Sequence, residues 1–416
     1  MARLIIEGGK ALKGEMTAHG AKNSALPILA ATLLNSDKVI INNCPDLTDV
    51  KAVFKILRHL GAKVEFNGSR AEIDASSVNR CDIPDDLMRE MRSSALFLGA
   101  LAGRIGCAKM SYPGGCELGP RPIDLHISAL SKLGISLSEE YGEISLKTKG
   151  VKGASIDLGF PSVGATENII LASVLSSGET IITGAAREPE IKDLADFLNL
   201  CGADIKGAGE STIVISGVKK LHSAEYSVMT DRIEVATYMV FAGITGGEIF
   251  IKGASPLTLS AVIPIIEAAG PRVYPTQNGI YINGRGGIYS VDPIRTMPYP
   301  GFPTDSQAPI MALLSIARGT TIFIENIFES RYKHVDELNR MGANIRTEGR
   351  TAVVSGVPKL YGAKVLAKDL RGGAALVAAA LSAEGQSEIR GLFHIDRGYE
   401  KLYETLKDLG ADIVRK

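Results

Sequence analysis

A chain of 416 residues is too long for one ordinary hydrophobic core, so two domains are expected. Its 46 Lys and Arg balance 46 Asp and Glu, which excludes a generally basic surface for nucleic acid and an acidic solvating tail. The N-terminus lacks the apolar core of a signal peptide, no apolar run reaches the roughly 18 residues of a membrane span, and the five cysteines (Cys44, Cys81, Cys107, Cys116, Cys201) form no CxxC pair; a cytoplasmic location with free thiols is expected.

In chain order, the first strong element is SALPILAATLL at 24–34, apolar around most of its surface and therefore a buried helix. Val50, Val53, Phe54, Leu57 and Leu60 then recur at helical spacing and make one apolar stripe. Gly61 stands where a helix C-terminus favours a left-handed residue. KVEF follows with alternating polarity, Asn67-Gly68 signals a hairpin turn, and AEID returns as the partner strand. The same unit is written six times. Its glycines are Gly61, Gly134, Gly202, Gly270, Gly342 and Gly410, separated by 73, 68, 68, 72 and 68 residues. Each unit has its own buried helix, the later five being SSALFLGALAG, ATENIILASVL, EVATYMVFAGI, SQAPIMALLSI and AALVAAALSAE. The chain is therefore α/β, and three units per domain with approximate threefold symmetry is the economical arrangement; an open solenoid is the alternative.

Four features do not read as core. Lys22 lies in GAKNS at the entrance of the first buried helix, where free backbone N–H groups favour an anion. The segment YPGGCELGPRP at 112–122, with three prolines and three glycines, is an irregular loop presenting Cys116 and Arg121. A second Pro/Gly loop, YPGFPTDSQ at 299–307, ends in Thr304 and Asp305, which suit the cap or first turn of the following helix. Arg92, Arg331, Arg371 and Arg397 lie at unit junctions; singly each is a surface charge, but their recurrence points to one shared anion. There is no GxxxxGK[ST], no GxGxxG after a strand, no HExxH and no GxSxG, and the six histidines show no metal-ligand spacing. Kinase, hydride-transfer and zinc-hydrolase chemistry are disfavoured, and neither a metal nor a cofactor is expected.

At GAKN, PGGC followed by RP.DLH, SVGATEN, FPTD.QA and the DLR and HIDRGYE arginines, the sequence resembles the UDP-N-acetylglucosamine enolpyruvyl transferases over essentially its whole length. The resemblance implies a two-domain inside-out α/β barrel of six βαβαββ units, with pseudo-threefold symmetry in each domain. It implies one lobe from 1–21 plus 230–416 and a second from 22–229. It further implies that phosphoenolpyruvate and UDP-N-acetylglucosamine are the small-molecule substrates in the first committed step of peptidoglycan synthesis, with no nucleic-acid or membrane partner. By matching motif, Cys116 would protonate the methylene carbon and form a pyruvate adduct, and Asp305 would take the proton of the sugar 3′-hydroxyl. Lys22, Arg121 and Arg397 would hold phosphate, with Arg331 and Arg371 near the carboxylate. Asn23, Arg92, the run Arg121, Pro122, Ile123, Asp124 and Leu125, then Ser162, Val163, Gly164 and Ile327, would contact the sugar nucleotide. One departure is Phe160-Pro161, where some members carry a lysine before SVGAT.

Such chemistry adds an alcohol across an enol and expels phosphate by C–O cleavage, so no pentavalent phosphorus needs a metal. A thiol of pKa about 8.5 is mostly protonated at pH 7 and serves as an acid, while a carboxylate of pKa about 4 is a weak base whose proton transfer should be concerted with bond formation. The alternatives are the sister activity on shikimate 3-phosphate, whose members lack the PGGC cysteine, and a non-catalytic sugar-nucleotide binder.

Overall fold

In this computed structural model, residues 2–114 and 123–416 are described. Cys116, Arg121 and Pro122 lie outside the described residues. The chain forms two compact units, one of residues 2–19 and 230–416, the other of residues 20–114 and 123–229.

Each repeat begins from the pattern seen in its sequence. The helix Thr48–Leu60 buries Val50, Val53, Phe54, Leu57 and Leu60 and stops at Gly61, whose φ is 107°. The five later glycines of the series have φ of 78°, 98°, 121°, 93° and 90°, a region where a side chain would be strained. Beyond Gly61, Lys63–Asn67 and Arg70–Asp74 pair antiparallel through the Asn67-Gly68 turn.

Among the described residues there are six sheets, each of four strands and one pattern: a parallel pair at one edge, then two antiparallel pairings. Four of these pairings close the units. In the second unit, Glu225–Ser227 near its end runs parallel to Val39–Asn42 near its start. In the first, Leu4–Glu7 inserts between Gln386–Arg390 and Asp412–Arg415, and Lys13–Thr17 pairs with Glu248–Lys252. Three sheets around three helices, joined end to end, exclude the open solenoid.

The buried helices sit inside. They are α1 (Lys22–Ala31), α2 (Phe97–Arg104) and α3 (Val163–Ser173) in the second unit, and α4 (Arg232–Thr245), α5 (Thr304–Leu314) and α6 (Leu370–Ser382) in the first. Helices α4, α5 and α6 pack pairwise on one another. Each is apolar nearly all round, so its polar residues concentrate at the N-terminal end, where backbone N–H groups also face outward. Among the described residues no helix is long and apolar enough to cross a membrane. Of the described cysteines, Cys44 and Cys201 are buried and Cys81 and Cys107 half-buried, and none of these four is in a disulfide.

Candidate active site

In the first unit the N-termini of α4, α5 and α6 carry most of the buried charge. Asp231 caps α4, its carboxylate accepting from the Ile233 and Glu234 amides at 2.8 and 3.1 Å. Asp369 caps α6 in the same way, through the Arg371 and Gly372 amides at 3.1 and 2.9 Å. Helix α5 is different. Its first turn holds Thr304 and Asp305 as expected, but neither side chain caps it. The Thr304 hydroxyl instead donates to Glu325 at 3.0 Å, and Asp305 Oδ1 accepts from Arg371 Nε at 2.9 Å and Arg331 Nη2 at 3.4 Å. Asp305 has been recruited from helix capping to ion pairing.

The two arginines are only 3% exposed, while a third of the Asp305 side chain stays open. Arg371 stacks 5.3 Å over the Tyr399 ring and Arg331 5.7 Å over Phe328, so aromatic faces replace part of their lost hydration. Burial alone would raise the Asp305 carboxyl, but the charges of Arg371 and Arg331 outweigh it and hold the group well below the usual carboxylate range. Two guanidinium groups share one carboxylate, and Arg371 Nη1 and Arg331 Nε are buried with no partner. Unused buried donors are costly, and an anionic oxygen would satisfy them. Arg397 is half-buried, following the helical turn Leu392–Ile395.

Ile327 lies beside this cluster because Glu325 accepts from its amide at 2.9 Å. Glu325 also accepts from Thr296 at 2.9 Å and the Phe328 amide at 3.1 Å, and so ties the 325–328 turn to the start of α5.

In the second unit, Lys22 opens α1 and pairs with Asp49 at 3.2 Å, both nearly buried. Asn23 beside it is half-buried. Helix α1 packs against the turn Arg92–Leu96, whose first residue is the half-buried Arg92. The other predicted residues gather around His126. Gly164 approaches so closely that a Cβ there would lie 2.9 Å from His126 Cε1. Ser162 caps α3 by accepting from the Ala165 amide at 3.4 Å, and Val163 starts that helix. Asp124 and Leu125 open the helix Asp124–Lys132, whereas the Ile123 side chain is in the core, leaving its backbone for any ligand. Burial, aided by the Arg92 charge, pushes His126 down to about 4 against the pull of Asp124, and its Nδ1 accepts from the Asn168 amide at 2.7 Å.

Sequence reading missed Glu325, His334, Asp369, Tyr399 and His126. Three of these lie inside the motifs without having been given a role: Asp369 in DLR, Tyr399 in HIDRGYE and His126 in RP.DLH.

The first unit is thus a closed barrel of inward helices, with Arg331 and Arg371 gathered on Asp305 at the helix N-termini. The family model for EPSP synthase (3-phosphoshikimate 1-carboxyvinyltransferase) matches residues 6–406. The enolpyruvyl transferase NikO from Streptomyces tendae superposes with a TM-score of 0.91 at 27% identity, covering 100% of this chain and 99% of that one. An EPSP synthase from Acinetobacter baumannii, at 21% identity and a TM-score of 0.78 over 100% of both chains, shares the fold. UDP-N-acetylglucosamine 1-carboxyvinyltransferase 2 of Caldanaerobacter subterraneus subsp. tengcongensis is 52% identical over 100% of both chains. The corresponding enzyme 1 of Carboxydothermus hydrogenoformans is 48% identical over 100% of this chain and 98% of its own. The chain therefore belongs to the enolpyruvyl transferase family, on its UDP-N-acetylglucosamine 1-carboxyvinyltransferase branch.

Proposed function

We propose that this chain transfers the enolpyruvyl group of phosphoenolpyruvate to the 3′-hydroxyl of UDP-N-acetylglucosamine and releases phosphate, the first committed step of peptidoglycan synthesis, in the cytoplasm. The observation that carries it is Asp305, held ionised by two buried arginines that keep unused donors. The branch names support the substrates.

In this reading Arg331 and Arg371 take the carboxylate of phosphoenolpyruvate, while Lys22, Arg121 and Arg397 take its phosphate. Asn23, Arg92, the 121–125 run, Ser162, Val163, Gly164 and Ile327 seat the sugar nucleotide. Cys116 delivers a proton to the methylene carbon as the 3′-oxygen bonds to carbon two, and Asp305 accepts the hydroxyl proton. Breaking the C–O bond to phosphate, with a methyl proton passing back to the Cys116 thiolate and the Asp305 proton leaving with the phosphate, restores the enol. Asp305 as found is too weak a base for this. A substrate carboxylate drawing on Arg371 and Arg331 loosens their hold on Asp305, so its basicity rises only when the donor is bound.

The test is phosphate release with both substrates. Wild type should release it, Asp305→Ala should lose roughly 10³-fold in turnover, and Cys116→Ser should be impaired. Full activity in Asp305→Ala would overturn the base assignment. Turnover with shikimate 3-phosphate instead of the sugar nucleotide would favour the sister activity.

A further inference from the structure

Among the buried polar atoms left without partners in the described residues, four belong to the charged or titratable side chains of three residues in the first unit, His334, Asp369 and Arg331. Both ring nitrogens of His334, Oδ2 of Asp369 and Nε of Arg331 are buried and unbonded. His334 immediately precedes the short helix Val335–Arg340 and is 2% exposed. The space beside His334 is crowded: a Cβ on Gly372 would lie 3.0 Å from His334 Cβ and 2.7 Å from Asp369 Oδ2. The imidazole feels the charges of both Asp369 and Arg331 and lies against the Arg331 backbone, whose carbonyl also favours a proton on the ring.

The four atoms match in kind. Arg331 Nε–H is a donor, Asp369 Oδ2 an acceptor, and a neutral imidazole offers one of each. Burial pushes His334 down to about 4, with the Asp369 charge and the Arg331 backbone pulling it up and the Arg331 charge opposing, so the ring is neutral at pH 7. The four atoms make up two complementary donor–acceptor pairs, and burying such groups unpaired is costly.

We propose that His334 is a positioning residue, its neutral ring donating to Asp369 and accepting from Arg331, in a relay completed when the site takes up its anion. The inference rests on the function proposed above. Both ends of the relay reach the reacting groups. Asp369 holds the backbone amide of Arg371, and Arg331 contacts Asp305 with the far end of its guanidinium. A substrate that draws on Arg331 would thereby be felt at the α6 N-terminus, and the two arginines would engage together.

His334→Leu removes both hydrogen-bonding functions, whereas His334→Gln keeps a donor and an acceptor. At saturating sugar nucleotide, the Leu variant should lose about tenfold or more in kcat/KM for phosphoenolpyruvate, mainly through KM, and the Gln variant should recover to within about threefold of wild type. A Leu variant within about twofold of wild type, or a Gln variant no better than Leu while both melt like wild type, would overturn the relay. Nitrogen-15 spectra of the wild-type ring keep the idea testable if the Leu variant fails to fold. They should show one neutral tautomer at pH 6 with phosphoenolpyruvate present; a protonated or tautomer-averaged ring would refute it. If wild type releases no phosphate, the proposed function fails, and the relay stands or falls on the spectra alone.

Discussion

Glu325 shows how much one buried carboxylate can organise. It is 1% exposed and accepts from Thr296, Thr304 and the amides of Ile327 and Phe328, four donors on two oxygens. No neutral side chain of that shape has four acceptor positions. Glu325→Gln would turn an NH₂ group against existing donors, and a loss of about 1–3 kcal/mol in unfolding free energy is expected. An unchanged denaturant midpoint would contradict this. The residue left no sign in the sequence because its hydroxyl partners are 21 and 29 positions away. Asp305 was legible for a different reason: it follows a Pro/Gly loop at the head of an apolar run, where a charge is conspicuous. Its partners Arg331 and Arg371, 26 and 66 positions on, could be singled out as arginines at junctions, but not their meeting on one carboxylate.

At the scale of elements, the legible features were those set by local sterics and periodicity. The six glycines after the amphipathic helices needed only a left-handed φ, and the buried helices only their uninterrupted apolar faces. Contacts between helices were not legible. Helices α2 and α3 approach so closely that a Cβ on Gly99 would lie 2.4 Å from the Asn168 carbonyl and 2.7 Å from its Oδ1. Asn168 Oδ1 accepts from the Gly99 amide at 2.7 Å, and its NH₂ reaches His126. Gly99→Ala sets a helix-propensity gain of about 1 kcal/mol against an overpacking cost of roughly 1–3 kcal/mol. Because backbone rather than a flexible side chain is struck, the net effect should be a lower melting temperature. A rise would show that α2 can slide away from α3 freely. Pro27 and Pro309 lie at the sixth residue of α1 and α5 respectively, where a proline removes the amide that would bond the carbonyl of Asn23 or Asp305. Burial on all sides holds both helices together despite that loss, and it falls at the end where the chemistry is proposed.

For the whole molecule, the two buried neutral histidines make stability depend on pH, each in its own unit. His126 and His334 are both pushed down to about 4, from an unfolded value near 6.5. Below 6.5 the unfolded chain binds protons at these rings that the folded chain refuses, so folding weakens as pH falls and the loss levels off below about 4. Three buried carboxyls act in the opposite sense: burial raises Glu167, Asp193 and Glu234, so acidification protonates them in the folded state and relieves their desolvation. The bulk pH profile is the sum and cannot identify a residue, but a difference between variants can. His126→Gln keeps an acceptor for Asn168 without a titrating ring. The stability gap between wild type and this variant, taken from denaturant unfolding, should shift by roughly 2–3 kcal/mol toward the variant between pH 7.5 and 4.5. A gap that stays constant over that range would mean that the His126 ring takes up its proton as readily folded as unfolded, with Arg92 and the surrounding core no obstacle to its charge.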